Sequence, residues 1–110
     1  MAKAKFWQNG GHLDYLNNTG ADIEANTVIT LGSRIGVAGA NIPNGETGAL
    51  IVEGVFELNK TDSTKIDAGT VVYWDGNGIT ATSGEDTVPA GYTTNDAAAD
   101  AGSVLVKINA

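Results

Sequence analysis

A loop that cradles a nucleotide's phosphates needs glycines followed by a lysine and a hydroxyl residue, so that amides and an ammonium share the charge. Gly32-Ser33-Arg34-Ile35-Gly36 and Gly36-Val37-Ala38-Gly39 come nearest, but neither carries the lysine and neither opens a helix. ATP binding is rejected on that ground. A nucleophilic triad would have to use His12 as its base, because the chain has one His and no Cys, and no nucleophile elbow accompanies it. His12 reads as a partly exposed strand histidine. Asp75-Gly76-Asn77-Gly78 has oxygen ligands at alternate positions, like the start of a calcium loop. It lacks a third ligand and a closing glutamate, and a hairpin turn explains it better. Glu53 and Glu57 fall on one side of a strand about 13 Å apart. A glycosidase pair needs about 5–9 Å, so these two read as interface or surface acids. Tyr73, Trp74 and Tyr92 have the chemistry to line a sugar site, although aromatics beside a small β core commonly just complete it. No catalytic, metal or cofactor-binding residue emerges.

The residues that must position such groups alternate. Gly48–Leu58 is the longest near-continuous apolar run. Leu50, Val52, Gly54, Phe56 and Leu58 share one face with no polar side chain, and Ile51, Glu53, Val55 and Glu57 share the other. The pattern predicts a central strand with its first face on the core. The mixed face suits water or a second subunit, which makes Ile51, Glu53, Val55 and Glu57 the interface candidates. Gly54 offers no side chain to the core row and predicts a bulge or a close backbone crossing.

Other stretches read the same way. Residues 1–11 show no period and carry Phe6 and Trp7, too apolar for a free tail, so they predict an extended arm whose aromatics dock on the rest of the chain or on a partner. A single β domain over 12–110 follows. His12–Leu16 reads as a short strand, and 23–31 as a β-branched one. Gly32-Ser33 reads as a two-residue turn into a strand over 34–38. Residues 66–74, 79–82, 90–93 and 104–108 complete the strands. The only helix-forming stretch, 96–101, is too short to stand alone.

The chain also echoes itself. Ile23-Glu24-Ala25-Asn26-Thr27-Val28-Ile29 matches Ile66-Asp67-Ala68-Gly69-Thr70-Val71-Val72 at an offset of 43 (66 minus 23), and Gly48–Val52 resembles Gly102–Val106 at an offset of 54 (102 minus 48). Two similar halves, about 23–58 and 66–108, predict an all-β fold: a small barrel or a clip-like sandwich. The extra length of the second half is expected between Ser83 and Ala101.

Composition narrows the partners. One domain fits 110 residues, and a chain of this size buries roughly two thirds of its unfolded surface. The absence of Cys removes disulfides, a thiol nucleophile and thiolate metal sites together. A net charge of −7 with six scattered Lys and Arg residues argues against nucleic acid, whose phosphates need clustered cations. It suits solubility or a basic patch on a protein. No apolar segment follows Lys3 and Lys5 as in a secretory signal, and none has membrane-spanning length.

Several stretches together resemble one family. They are Phe6–Gly10, Leu13-Asp14-Tyr15, Asn18-Thr19-Gly20 and Ile23-Glu24-Ala25, followed by Gly54–Lys60, Gly69–Asp75 and Val104–Asn109. In this set the chain is similar to the capsid cement, or decoration, proteins of tailed phages, many of which are labelled RecA/RadA-like recombinases. The missing phosphate loop gives that label no support. The resemblance implies a small β protein, often a trimer, on the outer surface of the phage head. It implies the major capsid protein as partner, a place in the virion after synthesis in the host bacterial cytoplasm, and no catalytic residues. Phe6 and Trp7 are then the expected capsid anchors. A carbohydrate-binding or adhesive surface module is the alternative, to be favoured by aromatics exposed in a row. A small hydrolase using Glu53, Glu57 or Asp75 ranks third and requires two carboxylates that reach a common point.

Overall fold

Alternating residues bury one face only when their strands find partners. The computed structural model describes residues 2–110, and Met1, the first residue of the expected arm, lies outside them. No helix occurs among the described residues. The described residues form nine strands: β1 (His12–Leu16), β2 (Val28–Leu31), β3 (Arg34–Ala38), β4 (Thr47–Ile51), β5 (Val55–Asn59), β6 (Val71–Trp74), β7 (Ile79–Thr80), β8 (Val88–Thr93) and β9 (Ser103–Ile108). One sheet runs β1-β4-β3-β2 and the other β5-β9-β8-β6-β7. All strand pairs are antiparallel. The fold is the expected all-β class, as a sandwich of two open sheets. Residues 2–9 carry no strand and are exposed throughout.

Local chemistry accounts for the turns. Gly32 has φ 59°, the left-handed value that a tight hairpin requires, and Leu31 pairs with Arg34 across it. Between β6 and β7, the amides of Asn77 and Gly78 each donate to Asp75 Oδ1 at 2.9 Å, and the chain turns back. Asp75–Gly78 is thus a hairpin turn held by its own carboxylate.

The expected single strand over Gly48–Leu58 is two strands in different sheets. β4 ends at Ile51, Val52-Glu53-Gly54 crosses over, and β5 starts at Val55. Gly54 makes the crossing at φ 120°, a conformation that disfavours any side chain. Hydrogen bonds hold the crossing at both ends: Val52 N donates to Gly11 O at 3.1 Å, and Ile108 N donates to Gly54 O at 3.0 Å.

The echo becomes geometry. The strand order β1-β4-β3-β2 is repeated as β5-β9-β8-β6, with β7 added at the edge. His12 pairs with Ile51 as Val55 pairs with Lys107, so β1 maps onto β5 at 43 (55 minus 12) and β4 onto β9 at 56 (107 minus 51). Val28 pairs with Val37 as Val71 pairs with Tyr92, which sets β3 onto β8 at 55 (92 minus 37). The sequence match at 54 is therefore two residues short of the structural one, a slip that keeps every side chain on its own face. Loops repeat too. Ile23 N to Ile42 O and Ile66 N to Ala97 O both measure 2.9 Å. Ala25 N to Asn41 Oδ1 and Ala68 N to Asp96 Oδ1 both measure 2.8 Å. Strand pairing thus groups β1 with β2–β4 and β5 with β6–β9. The added residues of the second unit lie chiefly in Asp75–Thr87, between β6 and β8, rather than after Ser83. There they build β7, and its Ile79 is fully buried.

Packing joins the units. Ile35 and Val37 of β3 share one buried cluster with Leu58, Ile66, Val72, Val106 and Ile108 of the second unit. Burying one such side chain contributes about 2 kcal/mol. A smaller cluster of Ile23, Ala38 and Ile42, with Tyr15 and Ile29 against it, lies within the first unit. Asn109, at φ 58°, ties the two together: its N donates to Ala90 O at 2.8 Å and its Nδ2 to Ile35 O at 2.7 Å and Val52 O at 2.8 Å. The molecule measures 42 × 42 × 24 Å along its principal axes.

Candidate functional site

Buried polar groups here serve the loops. Asn17 is fully buried, and its Nδ2 donates to Ala21 O and Ile42 O, each at 2.8 Å. At the equivalent place in the second unit stands Lys60, 9% exposed, whose Nζ donates to Asp62 O and, at 3.1 Å, to Ala99 O. A side-chain nitrogen closes the loop after the first strand of each unit. The Thr64 hydroxyl and amide, then the Ala81 amide, hold the Asp62 carboxyl well below the usual carboxylate range, aided by Thr80. Burial raises the Asp75 carboxyl, but the Thr61 hydroxyl and the amides of Asn77 and Gly78 outweigh it, and the net direction is down. Both acids are loop fasteners, saturated with donors.

The residues singled out for chemistry are dispersed. His12 is exposed on edge strand β1. Glu53 sits in the crossing, where a Cβ on Gly11 would lie 2.9 Å from its Oε1. Glu57 is on β5, accepting from the Ser103 hydroxyl at 3.3 Å. The two acids thus belong to different elements instead of one strand. Trp74 packs against the shared core, while Tyr92 lies across the second sheet with Lys107 Nζ 5.9 Å from its ring centre. Tyr73, next to Trp74 in β6, is half-buried. No group of three or more His, Asp or Glu among the described residues is placed to hold a metal ion.

What the structure assembles instead is surface. Phe6 and Trp7 are 79% and 84% exposed. Of the four interface candidates, Val55 and Glu57 are exposed on β5, Ile51 is half-buried in β4 of the other sheet, and Glu53 is exposed in the crossing. Val55 belongs to a row across the second sheet, Val55–Lys107–Tyr92–Val71, set by direct pairing. With Leu105, this outer face exposes three aliphatic side chains. Of this face the sequence singled out Val55 and Glu57 as surface candidates and Tyr92 only as an aromatic, because the row is built by strands far apart in the chain.

The equivalent row in the first sheet is His12–Ile51–Val37–Val28. Its Val37–Val28 end is covered. Val28 and Val37 pack with Phe56, Leu58 and Trp74 of the second unit, and together with Asn26, Glu57 and Asn59 these line a cleft of about 330 Å³. A second groove, of about 250 Å³, is lined by Leu13, Leu31, Arg34, Val52 and Asn109.

Among the described residues, no helix is long and apolar enough to cross a membrane. Comparison with curated proteins and with solved structures returned no match. The profile of one family, described as phage cement protein, matches residues 7–108. That span holds Trp7, both sheets and the crossing between them, and the family's name describes a structural component of the capsid. The chain belongs to the phage cement protein family.

Proposed function

We propose that this protein binds the outer surface of the phage head and stabilises contacts between neighbouring major capsid subunits. The family match over residues 7–108 carries this reading. The donor-saturated acids and dispersed titratable groups support a role in contact rather than in turnover. A net charge of −7 keeps such a protein soluble at high copy number before assembly. Phe6 and Trp7 are the proposed capsid anchors. Large apolar side chains in an exposed segment gain from burial in a partner, about 2–3 kcal/mol each. Several copies acting together on the lattice multiply weak single contacts into tight binding.

The protein acts as a homo-oligomer, with a trimer as the proposed state, and the outer face of the second sheet around Val55 and Glu57 contributes to the subunit contact. Co-sedimentation of the purified protein with heads that lack it tests the reading. Intact protein is expected to pellet with the heads, and protein lacking residues 1–9 to stay in the supernatant while keeping its own oligomeric mass. Intact protein that never pellets with heads would refute capsid binding. Equal pelleting of the shortened protein would refute the anchors.

A further inference from the structure

We propose that copies of this chain associate head to tail, the outer face of the second unit in one copy seating in the open groove of the first unit in the next. The contact inside the chain is the template. Val28 and Val37, on the back of the first unit, pack with Phe56 and Trp74 in the groove of the second. Ile108 belongs to the same cluster.

Each part of that contact has an unpaired equivalent. By the repeat offsets of 43 and 56, Phe56, Trp74 and Ile108 correspond to Leu13, Leu31 and Val52, and those three residues line the open groove. On the other side, Val28 and Val37 correspond to Val71 and Tyr92. Beneath its cover Val28 is half-buried and Val37 3% exposed, whereas Val71 is 59% exposed and Tyr92 half-buried with no cover. Each chain therefore holds a joint made within itself, an open groove that has no such partner and a bare face of the kind that makes the joint. A second copy supplies the missing half of both. Val55 corresponds to His12, which stays exposed beside the internal joint, and so falls at the rim of the contact.

A joint of this kind uses two different patches, and repeating it gives a ring when the rotation closes. The contact forms between copies in solution, so it is tested without capsids and separately from head binding. Val71→Asp blocks the face, and Leu31→Asp blocks the groove. Both positions are exposed, at 59% and 41%, so both variants are expected to fold, with circular dichroism as the check. By light scattering, the unaltered protein is expected to exceed the 11.2 kDa of one chain. Each variant alone is expected to fall to that single-chain mass, and an equimolar mixture to recover twice it, because each variant keeps the patch that the other lost. Three results would overturn the proposal: a monomeric unaltered protein, a Leu31→Asp protein that keeps its full oligomeric mass, or a mixture that stays at the mass of one chain.

Discussion

At the scale of single residues, the informative side chains are those that hold loops. Asn17, itself fully buried, places two donors on the carbonyls of Ala21 and Ile42. Removing it takes one of two donors from each carbonyl and the acceptor from Thr19, and Asn17→Ala is expected to cost about 2 kcal/mol, read as a lower urea midpoint at unchanged slope. Asp62 makes a prediction about acid. Its folded carboxyl is held below the ordinary value of 3.8, so its contribution is complete above that pH and is lost as pH falls, when the unfolded chain takes up the proton first. Asp62→Asn should therefore cost stability near neutral pH, about 1 kcal/mol because solvent screens the site. Urea midpoints taken at about pH 7 and about pH 2.5 should show the gap to the parent protein closing in acid. Neither role was legible from the sequence. In the sequence Asn17 stands beside Asn18, Thr19 and Gly20, ordinary turn chemistry, and its farther partner lies 25 positions away.

Among the elements, alternation located strands well and partners poorly. His12–Leu16 and 34–38 were bounded correctly because turn residues flank both, although only His12–Leu16 keeps a period of two. The run over 48–58 misled for a physical reason. The chain keeps the same parity through the Val52–Gly54 crossing, so two strands in separate sheets present the pattern of one. Leu50 and Leu58 are both buried as the period demands, and only the φ of Gly54 betrays the break. Backbones meet most tightly at Gly91 of β8, beside a register shift where Val72 pairs with Gly91 but Tyr73 with Pro89. Gly91 has φ 135°, and a Cβ there would lie 2.0 Å from Lys107 O. Gly91→Ala is expected to cost more than about 3 kcal/mol or to prevent folding. Gly76→Ala, with positive φ but open space around it, should cost only about 1 kcal/mol. Thermal melts of the pair make the comparison.

Taken whole, the molecule is two units with one strand order, the second extended by β7, sharing a core that neither completes alone. The repeat was visible in Ile23–Ile29 and Ile66–Val72, where turn chemistry and strand lie together. The inclusion of β1 and β5 was hidden, because His12–Leu16 and Val55–Asn59 share a register but no side chains. A shared core predicts one cooperative transition. Ile35, fully buried in the joint between units, should lose about 3 kcal/mol on Ile35→Ala. Tryptophan fluorescence, which includes Trp74 at the joint, should then shift together with the far-ultraviolet signal of both sheets. Separate midpoints for the two probes would show that the units unfold independently.

The unequal axes of 42, 42 and 24 Å carry a consequence for microscopy. A slab of these proportions lying flat on a shell thickens it by about 24 Å and masks a broad footprint, whereas one standing on its edge adds about 42 Å and leaves bare ground between neighbours. A radial density profile of decorated particles, even at low magnification of detail, reads the tilt of the slab directly.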